Sequence, residues 1–222
     1  MTILPGRHHM RLGAQLGMAL LLLASCQTAY YATLEKLGYH KRDLLVRRVQ
    51  DARDSQEEAK EQFQSALEQF SSVVNFRGGE LEAKYNQLKA ALDNSDDRAQ
   101  AVHKRIAAVE DVAEALFKEW EGELSQYTND TLRRASARQL AQTRQRYIPL
   151  MRAMRRAETK MAPVLAAFRD QVLFLKHNLN AQAIASLQQE LVTVETDIAA
   201  LMRAMEASIA EADAFIKALG QG

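Results

Sequence analysis

The 222-residue chain carries 29 Lys or Arg against 28 Asp or Glu, with only three prolines, nine glycines and a single cysteine. That near-neutral balance argues against a nucleic-acid binder, which shows a basic excess, and one cysteine excludes an intramolecular disulfide. The remainder is rich in Ala, Leu, Glu, Gln and Arg, the composition of long helices and coiled coils.

The first element is an apolar run, Leu12 to Leu23, preceded by Arg7 and Arg11. It is shorter than the roughly 20 residues a membrane span takes, so it reads as a secretory signal peptide, residues 1–25. Its last residues, Leu23, Ala24 and Ser25, lead into Cys26, and this pattern resembles the lipobox of bacterial lipoproteins. The resemblance implies cleavage before Cys26 and lipid on its thiol, so Cys26 is the expected lipidation site and the membrane is the expected partner. Losing Arg7 and Arg11 leaves 27 basic residues against 28 acidic ones, a formal charge of −1 for the mature chain. Residues 26–39 form a membrane-proximal stub. Its Tyr30, Tyr31 and Tyr39 either sit at the headgroup level or cap the end of the helical region.

From residue 40 to 219 the apolar residues fall in four stripes with alternating steps of four and three, the mark of heptad helices. The spacing predicts helices over about 40–75, 80–127, 131–178 and 181–219. The first stripe runs from Leu45 through Phe63 and Phe70 to Val73, with Gln56 its one polar member. Gly78 and Gly79 break it. A second stripe, Leu81 to Trp120, passes through the polar run Asp93 to Asp97 without a change of phase, so helix is expected to continue there. Asp130 or Thr131 is the expected cap of the third helix, in which Pro149 and Pro163 are expected to cause bends or, at Pro163, a fresh start. Residues 171–175 are apolar around most of the circumference and should be the most buried end. The fourth stripe, Ile184 to Leu219, includes Leu187 and Leu201 as core positions. Four stripes with short turns predict an all-α fold, an elongated antiparallel four-helix bundle or coiled coil in up-down-up-down order.

Charge supports that order. The segment 131–178 carries eleven Lys or Arg against two acids, while the helices before and after it carry an acidic excess. A basic helix between two acidic ones is expected to form flanking ion pairs, weak singly but selecting a topology together. The same face admits binding of an anionic ligand, with Arg152, Arg155 and Arg156 the candidate residues.

Other chemistry is sparse. After Cys26 the histidines are His40, His103 and His177, far apart and without a second ligand at metal spacing, and the Glu-x-x-His pattern of di-iron bundles does not occur. Neither a phosphate loop nor a nucleophile elbow is present. The reading is of no metal, no cofactor, no catalytic residue and no enzyme. Trp120, at core spacing, reads as core.

Three segments then carry a family resemblance: Tyr31 to Val49 (YATLEKLGYHKRDLLVRRV), Glu110 to Glu121 (EDVAEALFKEWE) and Pro163 to Asn180 (PVLAAFRDQVLFLKHNLN). Together with the lipobox they resemble a proteobacterial helical envelope lipoprotein family classed as a domain of unknown function. The resemblance implies a helical envelope lipoprotein and supplies no activity or cofactor. Gln27 rather than Asp after the anchor implies, by the sorting rule of such lipoproteins, the outer membrane facing the periplasm. The expected function is a lipid-anchored, non-enzymatic structural or interaction protein whose partner is a periplasmic protein or a second copy. The alternative is a binding module for lipid headgroups or phosphate polymer through the basic third helix.

Overall fold

The computed structural model describes residues 40–76, 78, 81–178 and 180–220, and every regular element among them is helical. The chain divides into two compact units, 1–44 and 45–222. Of the first, the described residues 40–44 lead into the first helix, where the Leu44 amide donates to the His40 carbonyl. The stub 26–39 and the leader lie outside the described residues.

The helices are α1 (Lys41–Val74), α2 (Leu81–Glu123), α3 (Asp130–His177) and α4 (Ala181–Gly220), with a short 3-10 turn at Leu124–Gln126. At 1.5 Å per residue α3, with its 48 residues, is about 72 Å long. Helix α2 passes through Asp93 to Asp97 unbroken because the stripe keeps its phase there: Ala91, Leu92 and Ser95 are buried while Asp93 and Asn94 face solvent. Helix α3 likewise runs through both prolines as one element. Pro149 and Pro163 lie on its exposed side, together with Gln145 and Thr159, whose carbonyls lose their i+4 amide partner. A carbonyl on the solvent side can turn to water for its lost partner, so proline is tolerated there where a buried position would not accept it.

The ends are set by polar side chains. Asn129 is the N-cap of α3, its side-chain oxygen accepting from the amides of Thr131 at 2.9 Å and Leu132 at 3.2 Å. The cap thus falls one residue before Asp130, because an Asx side chain reaches the second and third amides beyond itself. Asn180 does the same for α4 through the Ala183 amide. Gly78 has φ +144°, a conformation that glycine alone adopts without strain.

Four contacts close the bundle in ring order. Between α1 and α2, Glu58 meets Arg98 and Asp51 meets Arg105, equal steps in opposite directions. Between α2 and α3 three charged pairs also run antiparallel. Helices α3 and α4 approach most closely, which the alanines of α4 permit. Finally α4 returns to α1, with Asp213 on Arg53 at 2.8 Å and Gln188 donating to the Val74 carbonyl. The core these helices enclose is aliphatic with a few large rings. Phe63, Phe70 and Phe168 are fully buried, Leu187 is 1% exposed and Leu201 0%. Burying a side chain of this size contributes roughly 1.5–3 kcal/mol.

Three positions depart from the heptad expectation. Trp120 is half-buried rather than core, its indole Nε1 donating to Ser136 Oγ at 2.8 Å. Leu173 and Phe174 are 57% and 39% exposed, so the end of α3 is not buried all round; Gln171, Val172 and Leu175 alone face inward there. An apolar run cannot bury more than the side of the helix that has a neighbour.

One core layer is polar. Gln56 and Ser208 are both 0% exposed, and neither the Gln56 amide atoms nor the Ser208 hydroxyl has a hydrogen-bond partner among the described residues. The Arg53–Asp213 contact and the opposite chain directions place them within about one helical turn of each other along the bundle. An orphaned buried polar group costs about 1–3 kcal/mol. Gln56→Leu is therefore expected to stabilise the bundle by about 1 kcal/mol, read as a higher urea midpoint at unchanged m-value. An unchanged or lower midpoint would show that the Gln56 amide is satisfied after all.

Candidate functional site

Helix α3 presents two charged surfaces, and its periodicity decides which arginine goes to which. Arg144, Arg155 and Arg169 point to α2, where they meet Glu121, Glu110 and Asp96. The steps match: eleven and fourteen residues along α3, eleven and fourteen in reverse along α2. Three pairs in one register require two long helices lying antiparallel with little drift.

The centre of this seam is the most connected. Arg155 grips Glu110 with two nitrogens, Nε to Oε1 at 2.9 Å and Nη2 to Oε2. Its Nη1 donates to Glu158 Oε2 at 2.7 Å. The other Glu158 oxygen meets His103 Nδ1. The two carboxylates hold the guanidinium pKa well above its ordinary value, with the Glu110 hydrogen bonds the first cause. A bidentate arginine–carboxylate pair is among the stronger charged contacts a half-buried site can form.

Towards the α2 C-terminus the seam becomes aromatic. Phe117 and Tyr147 meet edge to face at 5.4 Å, and the Arg144 guanidinium lies 5.1 Å from the Phe117 centroid. The hydrogen bond from Arg144 lowers the pKa of exposed Glu121. Burial, with Glu110 nearby, pushes the Tyr147 phenol up to about 12. Because the folded pKa is raised, the stability Tyr147 contributes is complete below pH 10 and is lost between about pH 10 and 12. A spectrophotometric titration is expected to show one phenol ionising near pH 12, absent in Tyr147→Phe; two superimposable curves would contradict this.

Beside the seam lies an open groove of about 360 Å³, floored by Ala99, Met161 and Leu165 and rimmed by Asp96, Lys104 and Glu158. Its rim carries both signs of charge. Among the described residues no three His, Cys, Asp or Glu side chains come close enough to hold a metal ion, and no helix is long and apolar enough to cross a membrane.

The residues singled out from sequence are separated by this geometry. Cys26 lies outside the described residues. Arg152 and Arg156 are exposed on the outward side of α3 and make no ion pair among the described residues, whereas Arg155 belongs to the internal seam. The three arginines are therefore not one site: 155 is turned to α2 and its charge is already spent. The expectation of ion pairs on both flanks of α3 is also corrected. Its interhelical pairs among the described residues run to α2, and none runs to α4, although α3 and α4 lie close together. The His103–Glu158 contact was not foreseen, although the mirrored spacing of acids and arginines in the two helices carried the register that brings it together.

Fold and surface together define an all-α protein, whose described residues form a bundle of four long helices held by a heptad core and by charged pairs between neighbouring helices. Within that class the match to a family model is extensive, covering residues 30–219, and the chain belongs to that family, described as Protein of unknown function (DUF2959). No curated protein and no solved structure matches it.

Proposed function

We propose that the protein is a lipid-anchored, non-enzymatic interaction protein of the bacterial envelope, tethered by acyl chains on Cys26 and facing the periplasm from the outer membrane. The observation that carries this reading is the order of parts in the chain: Arg7 and Arg11, the apolar run to Leu23, the lipobox-like Ala24-Ser25-Cys26, and then a helical bundle. Two or three acyl chains hold a protein firmly where one gives only marginal binding. Confinement to a layer near the membrane raises its effective concentration towards partners there. The long helix faces then serve as contact surfaces for a periplasmic protein or a second copy.

Two measurements test it. Metabolic labelling with an alkyne fatty acid is expected to mark the wild-type chain and not Cys26→Ser; equal labelling of both removes the anchor. In-cell crosslinking from photoreactive residues scanned over exposed positions of α1 and α3 is expected to give one discrete adduct from one contiguous face. Absence of any adduct from all faces would overturn the interaction role.

A second reading, binding of an anionic envelope ligand through α3, is favoured by a specific observation. Arg152 and Arg156 are exposed and without a carboxylate partner among the described residues. Unpaired cations of this kind are free to meet phosphate.

A further inference from the structure

The basic side chains of α3 fall into two sets. Arg144, Arg155 and Arg169 are paired with α2. Arg138, Arg146, Arg152 and Arg156 are exposed and, like half-buried Lys160, form no ion pair among the described residues. These five span about 33 Å at 1.5 Å per residue. No acid interrupts them, since none occurs from Thr131 to Ala157, and Glu158 is turned to α2, engaged by His103 there and by Arg155 of its own helix. At the edge of this face, one turn before Arg152 and one heptad before Arg155, Ile148 is 54% exposed.

We infer that this outward face of α3 lies against a membrane surface of anionic phosphate headgroups, with Ile148 at the headgroup boundary. The inference rests on the anion-binding reading and deepens it, replacing the arginine triplet by a face from which Arg155 is absent. Charge complementarity names the chemistry: long cationic stems, no carboxylate among them, reaching for phosphate. The shape chooses between a surface and a polymer. A linear polyanion is best gripped by a groove with cations on both walls, yet the groove beside the seam is on the α2 side and carries Asp96 and Glu158 on its rim. The cations stand on a convex helix ridge, and a ridge presents all of them together to a plane. An exposed isoleucine among them adds apolar contact that headgroups accept and a soluble polymer does not use.

The test is cosedimentation of the mature chain from residue 26, carrying Cys26→Ser in every sample so that no acyl chain contributes, with vesicles of 30% phosphatidylglycerol in phosphatidylcholine, compared with pure phosphatidylcholine and with soluble polyphosphate. The triple variant Arg138→Gln, Arg152→Gln, Arg156→Gln is expected to bind the anionic vesicles about 100-fold more weakly than wild type. Neutralising Arg203 and Lys217 on α4 is expected to leave binding unchanged. A thermal melt shared by all three chains shows that the face, not the fold, has been altered. Ile148→Trp in a Trp120→Phe background is expected to shift its emission to the blue on anionic vesicles alone. Equal vesicle binding by wild type and the triple variant overturns the inference. Binding to polyphosphate without binding to vesicles also overturns it, while leaving the anion-binding reading in place; binding to neither removes both.

Discussion

Phe168→Ala is expected to lower the unfolding free energy by about 3–5 kcal/mol. Phe168 is fully buried, on the side of α3 opposite its solvent-facing prolines, and meets Phe70 of α1 edge to face with ring centroids 6.2 Å apart. Removing the ring loses its transfer free energy, leaves a cavity that long, rigid helices close only in part, and abolishes an aromatic pair worth about 0.5–1.5 kcal/mol. For a domain whose whole stability is of order 5–15 kcal/mol this is a large fraction. The comparison that makes it specific is Phe174→Ala, six residues on in the same helix. That ring is 39% exposed, so its loss is expected to cost less than about 1 kcal/mol. Urea unfolding of the two variants at a common m-value measures both. Equal costs would mean that α3 is rotated about its axis so that both rings meet the same surroundings.

The same pair of phenylalanines shows what the sequence could and could not reveal. Phe63, Phe70 and Phe168 are legible as core because heptad spacing is a statement about one helix, and a helix repeats at 3.6 residues whatever it packs against. The all-α antiparallel bundle follows from four such stripes and short turns. Spacing fails where burial depends on a neighbour. Leu173 and Phe174 lie in an apolar run, yet no helix among the described residues covers that side of α3. Trp120 sits on the stripe, but near the helix end the core thins and its indole takes Ser136 as a partner. The division of the arginines was beyond a reading of composition. Arg152, Arg155 and Arg156 are adjacent in sequence, but one helical position is about 100° of rotation, enough to turn Arg155 to Glu110 and leave its neighbours in water. Of the two unpartnered polar residues, Gln56 was visible as the polar member of its stripe, whereas Ser208 passed as part of an uninterrupted one and the level they share needed the register between α1 and α4.

Arg155 is the position at which structure and surface chemistry separate, and a double-mutant cycle is expected to show it. Arg155→Ala leaves Glu110 and Glu158 without the cation that lies between them, Glu158 being 17% exposed. The expected cost is about 1.5–3 kcal/mol, the range for hydrogen bonds to charged groups. Arg155→Ala combined with Glu110→Ala is expected to yield a coupling energy of about 1 kcal/mol, reduced but not abolished in 1 M salt because the pair is half-buried. Arg152→Ala, three residues away and exposed, is expected to change stability by less than about 0.5 kcal/mol. A coupling near zero for Arg155 and Glu110 would mean that the seam does not hold α2 and α3 in register. A large cost at Arg152 would mean that its charge is engaged within the bundle and is not free to meet a ligand. Helix α3 can hold the fold and offer a surface at once only because these two sets of arginines sit on different sides of it.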